Sequence, residues 1–148
     1  MIEPNLHIRI ARPVRDLDTA EDFYVRGLGL SLLDRITGRP EAGERDLLMV
    51  GPANGFWHLE LTASSNDPVE PTPTPEDLLV VYLGGPVPTK AVAQAVQHGG
   101  TVVPSHNPYW DRWGITLRDP DGYHLVLTER AWELGTESPS SDATGGQD

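Results

Sequence analysis

The chain has 148 residues, enough for one domain with a buried core and too few for two independent ones. It has no cysteine, which excludes disulfides and thiolate metal sites. Its formal net charge of −11 repels phosphate backbones, so we expect no nucleic-acid partner. There is no membrane-length apolar run and no pattern typical of a signal peptide at the N-terminus. We therefore expect a cytoplasmic protein without membrane contact.

The first half has the pattern of a strand, a helix and three strands. Residues 6–10 alternate apolar and polar as a half-buried strand does, and Pro13 ends it. Residues 18–21 form a capping-box pattern that predicts a helix through Phe23, Tyr24 and Val25. Gly27 and Gly29 are suitable stops for this helix. Three strand-like runs follow at residues 30–36, 46–50 and 56–62.

The second half repeats this order. An apolar strand is predicted at residues 78–83 and a helix at 90–98, stopped by two glycines. Three further strands are predicted at residues 101–104, 114–118 and 123–128.

The domain boundaries follow from this order. We expect one domain over residues 1–132, with module one at 5–63 and module two at 77–130. Residues 64–76, with four prolines, predict a semi-rigid linker between them. Residues 133–148 predict an acidic polar tail.

Two segments resemble a known family. Val14-Arg15-Asp16-Leu17, followed by Phe23-Tyr24 and Gly27-Leu28-Gly29-Leu30, resembles the first half of the vicinal oxygen chelate superfamily. Asp119-Pro120-Asp121-Gly122-Tyr123 resembles the end of its second half, and residues 107–110 are similar to a bacterial subgroup of unassigned function. This superfamily includes glyoxalases, extradiol dioxygenases and bleomycin resistance proteins. The resemblance implies an α+β fold in which two tandem βαβββ modules form curved sheets around a cavity, usually in a homodimer.

The resemblance also locates four metal-ligand positions, one on the first and one on the last strand of each module. In this sequence they fall on Arg9, Glu60, Val80 and Val126. A guanidinium and two hydrocarbon side chains offer no lone pair to a cation, and a catalytic metal needs about three protein ligands. We therefore expect no metal and no cofactor. In an alternative register His7 is the ligand beside Glu60, which still leaves only two.

Alternation along the strands predicts which side chains face the cavity. Arg9 and Glu60 are expected to form a partly buried ion pair at the metal position, the alternative being that each faces solvent at the rim. Trp57 is expected to lie behind them, in the core. The predicted ligand-binding residues are Arg9, His58, Glu60, Tyr82, Tyr109, Trp110 and His124. Tyr109 and Trp110 are expected to lie in or beside the loop that leads to the penultimate strand.

The favoured interpretation is metal-independent binding of a hydrophobic or aromatic small molecule, as in antibiotic-resistance or self-resistance members of the superfamily. The alternative is a lyase, isomerase or dioxygenase of the same superfamily. It would be either metal-free, with His58 or His124 as general base and Arg9 stabilising an oxyanion, or metal-dependent through His7 and Glu60. Whether the protein is an enzyme stays open, with binding favoured.

Overall fold

The computed structural model describes residues 1–133, which form two modules of the same topology. The elements of the first module are β1 (Ile8–Pro13), α1 (Leu17–Glu21), a π-helical turn (Asp22–Gly27), β2 (Ser31–Ile36), a 3-10 turn (Pro40–Ala42), β3 (Asp46–Gly51) and β4 (Trp57–Ala63). The elements of the second are β5 (Leu78–Tyr82), α2 (Thr89–Gln97), β6 (Thr101–Val103), α3 (Pro108–Trp113), β7 (Gly114–Arg118) and β8 (His124–Thr128).

Each module contains one four-stranded sheet. The strand orders are β1-β4-β3-β2 and β5-β8-β7-β6, so the first and last strands of a module lie side by side. These two strands are parallel in both modules, and the remaining pairs are antiparallel. This duplicated βαβββ arrangement confirms the predicted fold class.

The first helix begins two residues earlier than the capping-box pattern predicts. Asp16, not Asp18, is the N-cap: its backbone is extended, and its carboxylate accepts a hydrogen bond from the Thr19 amide at 2.8 Å. The earlier start follows from packing, because Leu17 and Ala20 are both buried and share the inward face of the helix. The prediction for this boundary was wrong because Asp16 and Asp18 are equally good capping residues in isolation.

Residues from both modules share one hydrophobic core. Leu59 and Leu61 of β4 are fully buried beneath the helices. Leu117 of β7 and Phe23 of the π-helical turn are fully buried in the same core. Trp57 is partly buried and packs against this core, as expected. Because successive strand residues point to opposite faces, the neighbours of these leucines on β4 face away from the helices.

The turn at residues 119–122 joins the two modules. The Asp119 carboxylate accepts hydrogen bonds from the Tyr24 hydroxyl at 2.5 Å and from the Asp121 and Tyr123 amides at 2.8 and 2.9 Å. Asp121 accepts the Arg15 amide at 3.0 Å. Burial raises the pKa of Tyr24 well above its usual range, so the hydroxyl stays protonated as a donor. The most characteristic motif of the sequence is thus a structural link between the modules.

Residues 64–77 form neither helix nor strand and run between the modules, with Glu70 bonded to the Arg15 Nε at 2.7 Å. Within residues 1–133, no helix is both long and apolar enough to cross a membrane. Apart from Glu133, the predicted tail lies outside the described residues.

Candidate functional site

The first sheet has one face covered by the helices and an open face on the other side. Since Leu59 and Leu61 point to the helices, His58, Glu60 and Thr62 alternate onto the open face. A pocket of about 480 Å³ lies on this open face, and we call it the module-one pocket. It is lined by Ala11, Ile36, Gly38, Glu44, Arg45, Leu47, Glu60 and Thr62.

Arg9 and Glu60 form an ion pair beside this pocket. The distance from Arg9 Nε to Glu60 Oε2 is 2.7 Å, with the Glu60 side chain 8% exposed and the Arg9 side chain 56% exposed. The predicted partly buried pair is therefore confirmed. The pair neutralises the one carboxylate at the four metal-ligand positions, and it places a cation where a metal ion would have to approach.

His58 lies next to this pair and contacts a second histidine. His58 Nδ1 and His7 Nε2 are 2.6 Å apart, a hydrogen bond in which one nitrogen donates to the other. Burial lowers the pKa of His58, with further lowering by electrostatic interaction with the neighbouring His7 and Arg9. His58 Nε2 is buried and has no hydrogen-bond partner among the described residues. This ring is therefore a neutral group at neutral pH, with one nitrogen still free to accept or donate.

The two metal-ligand positions of the second module are covered by α3. Val80 and Val126 are neighbours across β5 and β8, and Val126 is fully buried. Tyr109 and Trp110 pack with Val126 in a separate hydrophobic cluster, their rings edge to face with centroids 4.9 Å apart. The sequence places these two aromatic residues in or beside the loop before the penultimate strand, and the structure places them in α3, directly before β7. Asn107 caps a short helix there, accepting the Tyr109 amide at 3.1 Å.

Tyr82 and His124 also belong to the second module. The Tyr82 ring is edge to face with Trp110 at 6.3 Å and tilted against Trp132 at 5.7 Å. His124 Nδ1 is buried and unpartnered among the described residues. The seven predicted residues thus fall into two groups. Arg9, His58 and Glu60 lie on the first sheet, and the other four lie on the second module. Their role in ligand binding stays a prediction.

These residues do not fit a metal ion. Of the four inherited positions, Glu60 alone carries a donor, and its carboxylate is bonded to Arg9. In the alternative register His7 would be a second metal ligand, but its Nε2 is hydrogen-bonded to His58. No group of three or more His, Asp or Glu side chains within residues 1–133 is placed to hold a metal.

Sequence reasoning missed the apolar wall of the module-one pocket and the helix α3. The wall includes Leu47, and the signal was available: residues 47–50 are continuously apolar, a pattern of a strand covered on both faces. The signal for α3 was the Asn107-Pro108 pair, because asparagine is a strong N-cap and proline is favoured in the first turn.

Comparison with known proteins identifies the family. Models described as the YycE-like N-terminal and C-terminal domains match residues 8–62 and 76–129, which correspond to the two modules. The protein YycE of Bacillus subtilis (strain 168) is 38% identical over 121 residues, covering 81% of this chain and 85% of YycE. The crystal structure of a YycE protein of unknown function from Bacillus subtilis matches with a TM-score of 0.76 at 32% identity, over 89% of this chain and 95% of that one.

Two structures from Streptomyces sp. CB03234 share the fold at lower similarity. A glyoxalase/bleomycin resistance protein matches with a TM-score of 0.53 at 25% identity, over 82% of this chain and 98% of its own. TnmS3, an antibiotic binding protein, matches with a TM-score of 0.54 at 24% identity, over 88% and 99% of the two chains. Since the identity to YycE extends over both modules, the chain belongs to the YycE-like family and has the fold of the vicinal oxygen chelate superfamily.

Proposed function

We propose that this protein binds a small hydrophobic or aromatic molecule on the open face of its first sheet, without a metal ion. The observation that carries the proposal is the ion pair between Arg9 and Glu60 at 2.7 Å, together with the burial of Val126 under α3. The positions that would hold an ion are satisfied by charge pairing in one module and by hydrocarbon packing in the other. Binding by burial needs neither an ion nor a nucleophile.

The module-one pocket has the size and lining of a small-molecule site. Its volume of about 480 Å³ falls within the ~300–1,000 Å³ typical of ligand pockets. Ile36, Leu47 and Ala11 supply apolar surface, while Thr62 and the Glu60 carboxylate supply polar groups that orient a ligand. The net charge of −11 favours a cationic ligand over an anionic one. TnmS3, which shares this fold, is an antibiotic binding protein, and this supports a resistance or self-resistance role.

We also propose that two copies associate to complete the site. β1 and β5 occupy the outer edges of their sheets, and Ile8 and Ile10 on β1 are 52% and 41% exposed. An apolar edge strand of this kind is suited to pairing with another chain. Sedimentation equilibrium tests this proposal, and a monomer at about 100 µM would contradict it.

The binding proposal is tested with the cationic, fluorescent anthracycline doxorubicin as probe. Leu47→Arg places a charge in the module-one pocket and should weaken binding by at least about tenfold. Leu32→Arg is the matched control, because Leu32 is 47% exposed and lies beside Val50 on the helix-facing side of the sheet. Equal affinities in the two variants would contradict the pocket assignment. Elemental analysis should show no stoichiometric transition metal, and EDTA should leave the affinity unchanged.

A metal-free enzyme is the second candidate, and the unpartnered Nε2 of His58 favours it. A neutral imidazole with an unpartnered ring nitrogen is suited to accept a proton from a bound molecule. Mass spectrometry of probe recovered after long incubation separates the two functions. An unchanged mass supports binding alone, whereas a changed mass that disappears in His58→Gln supports turnover.

A further inference from the structure

A second cavity lies between the two modules, on the side of the sheets that carries α2 and not α3. Its volume is about 200 Å³, and we call it the intermodule cavity. Leu28, Leu30 and Trp57 of the first module line it opposite Leu79, Val81 and Leu125 of the second. It shares no lining residue with the module-one pocket. We infer that the intermodule cavity is a separate binding site for a neutral, apolar molecule with a single six-membered ring.

The volume sets the size of the ligand. An apolar cavity of about 150 Å³ lined by aliphatic and aromatic side chains stays dry and holds benzene. Drug-sized ligands need about 300–1,000 Å³. A volume of about 200 Å³ therefore fits one ring with a short alkyl substituent and excludes fused polycyclic compounds.

The lining sets the chemistry of the ligand. All ten lining side chains are aliphatic, proline or tryptophan, so none carries a charge. Burying an unpaired charge there would be strongly unfavourable, and the ligand must therefore be neutral. Trp57 offers a ring for aromatic contact, and its indole nitrogen can donate one hydrogen bond.

The cavity is both accessible and well supported. Leu125 and Leu127 form a buried floor, at 3% and 8% exposure, while Leu83 at the rim is 40% exposed. On the second-module side, Leu79 and Val81 of β5 and Leu125 and Leu127 of β8 lie on paired strands, which fixes their positions relative to one another.

The site is tested by fluorine NMR of 4-fluorotoluene titrated with the full chain. Ala91 of α2 lines the cavity, and Ala91→Leu should fill it and weaken binding by at least about tenfold. Ala93→Leu is the matched control, because Ala93 lies on the same helix and is exposed. It should bind like the unmodified chain. The anion 4-fluorobenzoate should not bind, because it would bring an unpaired charge into the cavity.

Two outcomes overturn the inference, and the first of them needs no variant. In the unmodified chain, proton NOEs must connect the bound 4-fluorotoluene to the Trp57 ring, and their absence refutes the site. Equal affinity in a folded Ala91→Leu variant also refutes it. Neither outcome bears on doxorubicin binding to the module-one pocket, because the two sites share no lining residue.

Discussion

Removing the positive charge of Arg9 should destabilise the protein more than removing the negative charge of Glu60. Arg9→Met keeps most of the aliphatic stem but leaves a carboxylate that is only 8% exposed without its partner. Glu60→Gln leaves a guanidinium that is 56% exposed, and water can hydrate that group at little cost. The asymmetry follows from the unequal exposure of the two groups, because each mutation leaves the other partner unpaired.

The Arg9–Glu60 distance and the exposure of the two side chains determine how much stability each substitution should cost. At 2.7 Å the attraction is roughly 6 kcal/mol with an effective dielectric constant of about 20, and desolvation and side-chain ordering offset most of it. We expect Arg9→Met to lower the free energy of unfolding by about 2 kcal/mol, less than for a fully buried pair because Arg9 is half exposed. Glu60→Gln should cost about 1 kcal/mol. For a domain of this size, 2 kcal/mol corresponds to a decrease of about 4–8 °C in Tm.

Urea unfolding followed by circular dichroism and tryptophan fluorescence gives these free energies. The double variant Arg9→Met/Glu60→Gln removes both charges and should cost less than the sum of the two single substitutions, because neither charge is then left unpaired. The costs of the two single substitutions should therefore not add. Strictly additive costs, or a larger cost for Glu60→Gln than for Arg9→Met, would refute the interpretation of this pair as a coupled, half-buried replacement for a metal site.

Three further predictions concern the link between the modules, the histidine pair and a close strand contact. Tyr24→Phe removes the hydrogen-bond donor to the buried Asp119 carboxylate and should lower the free energy of unfolding in urea by about 2 kcal/mol. An unchanged free energy of unfolding would exclude a structural role for this hydrogen bond. Burial lowers the folded-state pKa of His58 below the ordinary 6.5. At a pH between the folded-state and the unfolded-state pKa of His58, the unfolded chain therefore binds more protons than the folded chain. The free energy of unfolding should decrease as the pH falls through about 6.5. His58→Gln should reduce the pH dependence of the free energy of unfolding, and an unchanged pH dependence would contradict this role of His58. Gly114→Ala should unfold the second sheet locally, because an added Cβ would lie 2.2 Å from the Leu127 carbonyl oxygen; hydrogen exchange at unaltered rates in β7 and β8 would count against this.

The repeated βαβββ order could be predicted from the sequence because it depends on local patterns. Alternating runs and Gly-Pro connections placed each strand within a few residues of its observed bounds. The start of α1 was misplaced because Asp16 and Asp18 compete locally, and the burial of Leu17 decides between them. The π-helical turn had no sequence signal. It brings Phe23 and Tyr24 both into the core, which depends on packing between modules.

The Arg9–Glu60 pair could be predicted, whereas the grouping of the other site residues could not. The pair joins side chains on adjacent parallel strands, so strand alternation and the positions of the superfamily were sufficient. The separation of Tyr109 and Trp110 from the first sheet depends on α3 lying over Val126, a contact that spacing along the chain does not determine. The same reasoning explains why the intermodule cavity was not predicted: its walls come from both modules.

The two modules satisfy their inherited metal-ligand positions in different ways, and this difference limits what the site can do. In the first module the Arg9 side chain of the ion pair is 56% exposed. In the proposed binding mode its guanidinium can therefore orient a polar group of a ligand. In the second module Val80 and Val126 lie beneath aromatic rings of α3, so a ligand would have to displace buried side chains to reach them. No single substitution can therefore rebuild a metal centre, because Arg9 would have to be replaced in one module and α3 would have to move in the other. Under the binding proposal, selectivity at the module-one pocket then depends mainly on the first sheet, where apolar side chains lie beside the Arg9–Glu60 pair.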